Sequence, residues 1–299
     1  MTGALVIGEA LIDIVETDAG DSELVGGSPA NVAVGLARQG HGVRLLTRLG
    51  TDDRGRRIAA QVSASGAVVD DASWTDAATS TARARLRADG SAEYEFAIDW
   101  SIPAPDLRGI GTVHTGSIAL FLEPGGSAVL DTLRAAAGSS LVSVDPNIRP
   151  ALVGVHDEAL ARFEAAASVA DLVKLSDEDA QWLYPGLGPE AVLRAIAATG
   201  AGGRGPRIVV MTRGAEGAIG LGAGGIVEVD AMPVQVADTI GAGDAYMASL
   251  ISSALDDLAV FDDAAAFADA LRRAAVTAGI TVSRAGANPP TRAEIDAAL

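Results

Sequence analysis

Short apolar runs alternate with alanine-rich segments along most of the chain. The runs at 5–7, 43–47, 112–116, 141–145, 172–175 and 208–212 predict buried strands. Between them, the segments at 58–65, 128–137, 160–167 and 191–198 predict helices. Because strands and helices alternate in this way, we expect an α/β fold in which helices cover a mostly parallel sheet.

One segment departs from this pattern. Residues 81–87 and 93–98 alternate polar and apolar side chains with a period of two, and Asp89-Gly90 between them is a turn signal. A half-polar hairpin of this kind predicts a small sheet outside the main one, which covers a site or pairs with another subunit. A solvated extension of a sheet edge explains the same pattern equally well.

Composition narrows the class of protein. A chain of 299 residues with 49% hydrophobic content can bury a full core without metals or crosslinks. The absence of cysteine excludes disulfides, thiolate zinc sites and cysteine nucleophiles. A formal charge of −17 disfavours nucleic acids and anionic membranes as partners. The first eight residues carry no leader pattern and no apolar run reaches ~18 residues, so we expect a cytoplasmic protein without a membrane span.

Several nucleotide-binding and catalytic patterns are excluded. Lys174 is the only lysine and lies between Val173 and Leu175, so no P-loop can form. Residues 220–225 match G-x-G-x-x-G, but a strand is predicted at 226–229 where a dinucleotide site needs a helix. The chain also has no G-x-S-x-G elbow. Three histidines without metal-ligand spacing are expected at the surface or in packing: His41, His114 and His156.

The segment 238–246, D-T-I-G-A-G-D-A-Y, predicts a loop that leads into a buried helix. Gly241 and Gly243 flank Ala242 and let successive backbone N–H groups turn toward one point, where the helix dipole adds positive potential. Asp244 lies at the mouth of this anion hole. A carboxylate there suits a base that takes a proton from a nucleophile, although an isolated motif of this kind more often supplies an N-capping aspartate.

A second glycine motif, G-G-S-P-A-N-V-A-V-G-L-A-R-Q-G, occupies 26–40. It predicts a Gly-Gly loop, a helix with Pro29 in its first turn, and a stop at Gly40. With D-T-x-G-A-G-D near the other end, the chain resembles the ribokinase-like (PfkB) carbohydrate kinases, most closely the fructokinase branch, over essentially its whole length. This resemblance implies a single three-layer α/β/α domain over 1–299, with a small β lid from about 11–26 and 79–102.

The resemblance also assigns roles on the sugar side of the site. Asp13 and Asn31 would hydrogen-bond sugar hydroxyls, which suits their acceptor and donor groups. Gly26 and Gly27 would pack close to the sugar. Asp244 would be the general base that activates the sugar hydroxyl. The backbone amides of the anion hole would come from the segment that contains Gly241, Ala242, Gly243 and Asp244.

For the phosphate side, the motif D-P-N-I-R at 145–149 resembles the fructokinase and 2-keto-3-deoxygluconate kinase branch. Arg149 would approach the transferred phosphoryl group with a permanently charged guanidinium. Lys174 stands where that branch carries a lysine near ATP. Where ribokinases show N-x-x-E, this chain reads S-D-E-D, so Asp179 would serve Mg²⁺ through water, with Glu178 as the alternative.

The remaining implied contacts concern the nucleotide and a monovalent cation. The family's T-x-G-x-x-G turn near the ATP phosphates corresponds to Thr212, Gly214 and Gly217, and Asn288 would lie near the adenine. Some relatives bind a monovalent cation such as K⁺, mainly through backbone carbonyls, and the sequence leaves open whether this chain does. The corresponding positions are Asp238, Ile240, Thr281, Arg284 and Gly286.

The function implied is transfer of the γ-phosphoryl group of ATP to the primary hydroxyl of a small sugar, with fructose as the favoured substrate. Alternatives are a 2-keto-3-deoxygluconate kinase, a ribokinase or nucleoside kinase, and a catalytically silent sugar-binding regulator. A keto-deoxy acid requires a cation for its carboxylate, which Arg83, Arg85 or Arg87 would supply if they face inward. The lid also offers a surface through which two subunits can form a homodimer.

Overall fold

The structure is a computed structural model and describes residues 3–17, 20–86, 92–200, 202 and 205–299. The strands in chain order are β1 (Gly3–Ile7), β2 (Leu11–Thr17), β3 (Gly20–Gly26), β4 (Val43–Leu46), β5 (Leu49–Gly50), β6 (Val68–Val69), β7 (Trp74–Thr75), β8 (Thr81–Leu86), β9 (Ala92–Ala97), β10 (Ile110–Gly116), β11 (Leu141–Asp145), β12 (Leu172–Ser176), β13 (Ile208–Thr212), β14 (Ala218–Gly222) and β15 (Gly225–Val229). The helices are α1 (Ser28–Arg38), α2 (Asp53–Ala64), α3 (Ile118–Phe121), α4 (Gly125–Ala136), α5 (His156–Ala167), α6 (Asp177–Leu183), α7 (Pro189–Ala197), α8 (Ala242–Asp256), α9 (Ala264–Val282) and α10 (Arg292–Asp296).

The main sheet has nine strands in the order β15-β14-β13-β12-β11-β10-β1-β4-β6. All pairs from β13 to β6 are parallel, while β14 and β15 add an antiparallel edge. The six predicted strands correspond to β1, β4, β10, β11, β12 and β13, and the four predicted helices to α2, α4, α5 and α7. The prediction of a mostly parallel sheet is therefore confirmed.

Helices cover both faces of this sheet, and each face has its own hydrophobic core. Successive side chains of a strand point to opposite faces, so Ala4 and Val6 of β1 pack on one side while Leu5 and Ile7 pack on the other. The first side is covered by α1, α2, α8 and α9, and the second by α3 to α7. These two cores confirm the three-layer architecture.

A separate sheet has the strand order β3-β2-β8-β9. Strand β2 pairs antiparallel with β3 and parallel with β8, and β8 pairs antiparallel with β9 in the predicted hairpin. The predicted turn at Asp89-Gly90 lies outside the described residues. The four strands fall within the predicted ranges, and the role of this sheet as a lid stays a prediction. A third sheet contains only β5 and β7.

The parallel strands end at one edge of the main sheet, where ligands bind in open α/β folds. Ser117, Asp145, Ser176 and Thr212 end or follow β10, β11, β12 and β13 at this edge. By contrast, β14 and β15 form an antiparallel hairpin at 218–229, which confirms that the G-x-G-x-x-G match is not followed by a helix. Within the described part of the chain, no helix is long and apolar enough to cross a membrane.

Candidate active site

A cleft of about 1490 Å³ lies between the carboxyl edge of the main sheet and the four-stranded sheet. It brings the two glycine motifs together although they are more than 200 residues apart in the chain. Most of the site residues expected from the sequence line it, namely Asp13, Gly26, Gly27, Asn31, Arg149, Lys174, Glu178, Asp179, Thr212, Gly214, Gly217, Ile240, Gly241, Ala242, Gly243, Asp244 and Gly286. Four expected residues lie outside the lining, namely Asp238, Thr281, Arg284 and Asn288.

The N-terminus of α8 opens into this cleft. Gly241 precedes the helix in a left-handed conformation with φ 77°, which favours glycine over any residue with a side chain. A Cβ atom at Gly241 would also come within 2.7 Å of the Cβ of Ala287. The first N–H groups of a helix have no partner inside it, and the segment 241–243 lines the cleft. This geometry is compatible with the expected anion hole, whose role stays a prediction.

Asp244 is buried in the first turn of α8, with 8% of its surface exposed. The Ser28 hydroxyl donates to its Oδ1 atom at 2.6 Å, and the Asn31 amide donates to its Oδ2 atom at 2.8 Å. The helix begins after Gly241 and has no side-chain cap, so the interpretation of Asp244 as an N-capping residue is wrong. Its carboxylate instead hydrogen-bonds directly to the glycine motif at 26–40.

The residues expected to bind the sugar crowd against one another. Asp13 lies on β2, and a Cβ atom at Gly26 would come within 1.9 Å of its Oδ2 atom. Gly27 has φ 113°, and a Cβ there would come within 2.4 Å of the Glu9 carbonyl oxygen. Burial raises the pKa of Asp13 above its usual value, while the charge of Arg149 opposes this. The two glycines therefore leave room for the Asp13 carboxylate and the Glu9 carbonyl, respectively.

Arg149 lies in the loop after β11, where Asn147 adopts φ 37°. Its guanidinium donates to the Ile148 carbonyl at 3.1 Å and is exposed to the cleft. Among the described residues, no carboxylate lies within ion-pair distance of it. A guanidinium in this position can bind an anionic group that enters the cleft.

Beneath the anion hole lies a buried ion pair. Lys174 Nζ is 2.8 Å from Asp145 Oδ2, and both side chains are at most 5% exposed. Burial raises the pKa of Asp145 to about 6, although the charge of Lys174 opposes this. The same Nζ atom lies 3.4 Å from the carbonyl oxygen of Gly243. Lys174 therefore links the floor of the cleft to the first turn of α8.

The acidic start of α6 contributes two carboxylates with different surroundings. Asp179 is buried, and its oxygens accept the N–H of Ile148 at 2.7 Å and the N–H of Ser176 at 2.9 Å. With Ser176 it forms a capping box. Glu178 is exposed and lines the cleft. Through its hydrogen bond with Ile148, Asp179 thus fixes the loop that contains Arg149. The sequence did not predict this contact.

Thr212, expected to bind ATP, ends β13, and the following turn includes Gly214 with φ 54° and Gly217 with φ 81°. A Cβ atom at Gly217 would lie 2.1 Å from the Val229 carbonyl oxygen, so the turn requires glycine there. Asn288 lies outside the cleft lining, and its amide oxygen accepts a hydrogen bond from the Arg38 guanidinium. Its expected place near the adenine stays a prediction.

The segments expected to bind a monovalent cation are joined by Asp238. Its carboxylate accepts the N–H of Ile240 at 3.0 Å and the N–H of Gly286 at 2.8 Å. The side chains of Thr281 and Arg284 point elsewhere: the Thr281 hydroxyl donates to the carbonyl of an earlier turn of α9, and the Arg284 guanidinium pairs with a carboxylate of α10. Any cation here would therefore be bound by backbone carbonyls.

The inward face of β8 carries small apolar side chains. Ala82 and Ala84 of β8 line the cleft. Arg83 and Arg85 alternate with them on the opposite face, and both pair with Glu16 of β2. Neither arginine therefore provides a cation inside this cleft, and Arg87, the third arginine considered for that role, lies outside the described residues.

The sequence did not assign a functional role to two residues near Asp244. Ser28 lies within the second glycine motif, yet its contact with Asp244 depends on tertiary structure. Glu9 follows β1, is 5% exposed, and has an Oε2 atom without a hydrogen-bond partner. Burial raises its pKa to about 7, opposed by a hydrogen bond from Ser117 and by the charge of Arg149, whereas Asp244 adds to the increase. The sequence did contain a signal for Glu9, because this acidic residue follows Gly8 just beyond a buried strand.

The histidines have structural roles, as expected. His114 is buried in β10 and hydrogen-bonded to the Ser143 hydroxyl at 3.0 Å, and burial lowers its pKa to about 3. His41 contacts the Ser252 hydroxyl at 2.8 Å. Across the part of the chain that the structure describes, no cluster of histidine, aspartate and glutamate could hold a metal ion directly.

Comparison with known proteins identifies the family. The model of the family described as "pfkB family carbohydrate kinase" matches residues 1–294 of this chain. Probable fructokinase-4 of Arabidopsis thaliana is 31% identical over 98% of this chain and 95% of its own length. The fructokinase of Xylella fastidiosa with bound ATP has a TM-score of 0.79 at 27% identity, covering 99% of this chain and 98% of its own. A double mutant of Vibrio cholerae fructokinase with fructose, ADP and potassium has a TM-score of 0.82 at 26% identity, covering 99% and 98% of the respective chains. The chain therefore belongs to the pfkB family of carbohydrate kinases, as its two glycine motifs predict.

Proposed function

We propose that this sugar kinase transfers the γ-phosphoryl group of ATP to the primary hydroxyl of fructose. The observation that carries the proposal is the position of Asp244, a buried carboxylate at the N-terminus of α8 that hydrogen-bonds to the glycine motif at 26–40. A base and an anion hole thus lie within one helical turn. Sugar phosphorylation needs both, because the hydroxyl loses a proton while negative charge develops on the transferring group.

The sugar binds on the side of the four-stranded sheet. Asp13 accepts hydrogen bonds from sugar hydroxyls, and Asn31, whose amide nitrogen is bound to Asp244, keeps its amide oxygen for a further hydroxyl. Gly26 and Gly27 allow the sugar to approach the backbone. The hydroxyl to be phosphorylated is thereby held next to Asp244.

Asp244 accepts the hydroxyl proton as the sugar oxygen forms its bond to the γ-phosphorus and the bond between that phosphorus and the ADP oxygen breaks. The N–H groups at 241–244 and the Arg149 guanidinium neutralise the charge that the phosphoryl oxygens carry. Lys174, which contacts the Gly243 carbonyl, supports this turn from below.

ATP lies along the turn that contains Thr212, Gly214 and Gly217, all of which line the cleft. The residues present fit a hydrated Mg²⁺, because exposed Glu178 can contact its water shell while the oxygens of Asp179 already accept backbone N–H groups. Bound Mg²⁺ would neutralise charge on the nucleotide phosphates. Potassium, which the related Vibrio cholerae protein binds, would be held by backbone carbonyls of the two segments that Asp238 joins.

Fructose is favoured over a keto-deoxy acid because the described inward face of β8 is neutral. Ala82 and Ala84 line the cleft, while Arg83 and Arg85 pair with Glu16 on the other face. A substrate carboxylate would find no lid cation among these residues. The fructokinases among the relatives support the same choice.

The proposal also includes three further points. The four-stranded sheet serves as a lid, two subunits form a homodimer through it, and the protein is cytoplasmic. Light scattering of the purified protein tests the dimer.

Replacement of Asp244 by Asn tests the proposal. The amide keeps the shape and its oxygen can still accept from Ser28, but its nitrogen cannot accept from Asn31 and the side chain cannot take a proton. We therefore expect kcat to fall by about 10²- to 10⁴-fold in a coupled assay of ADP release. The fructose Kd measured by calorimetry should change far less than kcat, because only the contact with Asn31 is altered on the sugar side. Asp71→Asn, an exposed aspartate outside the cleft lining, is the matched control.

The substrate is tested with the wild-type protein and a panel of fructose, ribose, 2-keto-3-deoxygluconate, inosine and adenosine. We expect the highest kcat/KM with fructose. Near-normal turnover by Asp244→Asn would refute the assignment of the base. If the wild-type protein binds fructose but turns over no member of the panel, it is the sugar-binding regulator instead.

A further inference from the structure

The first turn of α1 contains a serine whose hydroxyl is directed away from its own helix. Serine at the start of a helix usually caps the exposed N–H groups. Here Gly27 is the N-cap, the helix has no side-chain cap, and Ser28 is already its first residue. The hydroxyl donates instead to Asp244 Oδ1 on α8 at 2.6 Å.

Together with Asn31, this contact holds both oxygens of the carboxylate. Asn31 is one turn further along α1 and donates to Oδ2 at 2.8 Å. One donor alone would leave the carboxylate free to rotate about its terminal bond. Two donors on the same helix determine the plane of the carboxylate, and an ionised carboxylate has roughly four acceptor sites, so others remain for the sugar hydroxyl.

We propose that Ser28 is a positioning residue for phosphoryl transfer, which orients the carboxylate of Asp244 toward the sugar hydroxyl. The inference rests on the proposed function of Asp244 as the base. Ser28 acts through Asp244 and takes no proton from the substrate. Proton transfer depends steeply on the placement of the acceptor, so loss of the hydroxyl should slow turnover while the sugar still binds.

Three variants separate positioning from a purely structural role. Ser28→Ala removes the hydroxyl and Ser28→Thr keeps it. Ser127→Ala removes another hydroxyl from the start of a helix, which donates to Glu123 at 2.7 Å and lies outside the main cleft. For each variant, kcat and the fructose KM are measured by ADP release, the fructose Kd by calorimetry, and the folded state by circular dichroism and thermal unfolding.

We expect Ser28→Ala to lower kcat about tenfold, as loss of a hydrogen bond to a charged group implies, with the fructose Kd within about twofold of wild type. Ser28→Thr should regain most of the turnover, and Ser127→Ala should match wild type. Two results would overturn the proposal: wild-type kcat in Ser28→Ala, or losses in kcat, Kd and thermal stability that Ser28→Thr does not restore.

The result for Asp244→Asn separates the assignment of Asp244 as the base from the positioning role of Ser28. If Asp244→Asn loses turnover while Ser28→Ala keeps it, the positioning role of Ser28 is wrong and the base assignment stands. If Asp244→Asn keeps its turnover, the proposed function itself fails, and the inference about Ser28 fails with it.

Discussion

Gly26→Ala is expected to weaken sugar binding through a single steric contact. The added Cβ atom would lie 1.9 Å from Asp13 Oδ2, whereas ordinary van der Waals contacts begin near 3.4 Å. The φ angle of Gly26 is outside the positive range, so alanine fits the backbone itself. The substitution therefore acts mainly on the position of the Asp13 carboxylate.

The size of the effect follows from this distance. The carboxylate has to move by about 1.5 Å to restore an ordinary contact distance. This movement would remove the hydrogen bonds to sugar hydroxyls that we propose for Asp13. A hydrogen bond to a charged group contributes about 1.5–3 kcal/mol, or roughly a factor of 10 to 150 in affinity. We therefore expect the fructose KM to rise at least about tenfold. The KM for ATP should stay near its wild-type value, because we place Asp13 on the sugar side of the cleft and ATP on the other side.

The assay is ADP release with fructose varied at saturating ATP, and then with ATP varied. Gly42→Ala is the matched control, because a Cβ atom there meets no atom within 4 Å and its φ is also outside the positive range. Both variants should unfold near the wild-type temperature. The Gly26→Ala substitution should have no further effect in an Asp13→Ala background, where the clashing oxygens are absent.

Two outcomes would contradict this reasoning. A wild-type fructose KM in correctly folded Gly26→Ala would mean that Asp13 does not bind the sugar. An equal increase in KM with and without the Asp13 carboxylate would mean that the alanine acts by another route, such as displacement of the Gly-Gly loop.

Two predictions concern buried ionisable groups near the cleft. Lys174→Met should lower the free energy of unfolding by about 3–5 kcal/mol at pH 8, because it leaves Asp145 buried without its ion-pair partner. The deficit should shrink at pH 5, where Asp145 takes up a proton, and an equal deficit at both pH values in urea unfolding would refute this. Glu9 has a pKa raised by burial from 4.5 to about 7, so the folded protein holds a proton that the unfolded chain releases within this window. The free energy of unfolding should therefore fall by up to about 3 kcal/mol as the pH rises from 4.5 to 7, and Glu9→Gln should lose this part of the pH dependence. Parallel stability curves for wild type and Glu9→Gln would show that burial does not raise this pKa.

Local sequence patterns determined the elements of the fold and the two ends of the site. Apolar runs identified the central strands, since each is buried on both faces of the sheet. The glycine motifs were recognisable because Gly27 and Gly241 adopt backbone conformations that disfavour other residues. Even the hairpin of β8 and β9 followed from its period of two. These features depend on neighbours in the chain, which a sequence displays directly.

Contacts between distant segments were decided by the tertiary structure alone. The sequence separately contains Ser28 and Asp244, but only the packing of α1 against α8 brings the hydroxyl within 2.6 Å of the carboxylate. In the same way, the register of β2 with β8 turns Ala82 toward the cleft and pairs Arg83 with Glu16 on the other face. A shift of one residue would exchange those faces.

The interpretation of Asp244 required both the local sequence pattern and the tertiary structure. Its motif indicated an acid at an anion hole, but could not distinguish a base from an N-capping residue, because both occur at the start of a helix. The structure decided against capping by placing Asp244 inside the helix and its oxygens against the other glycine motif. Sequence determines which groups a chain can offer, whereas their distances depend on how its helices pack on the sheet.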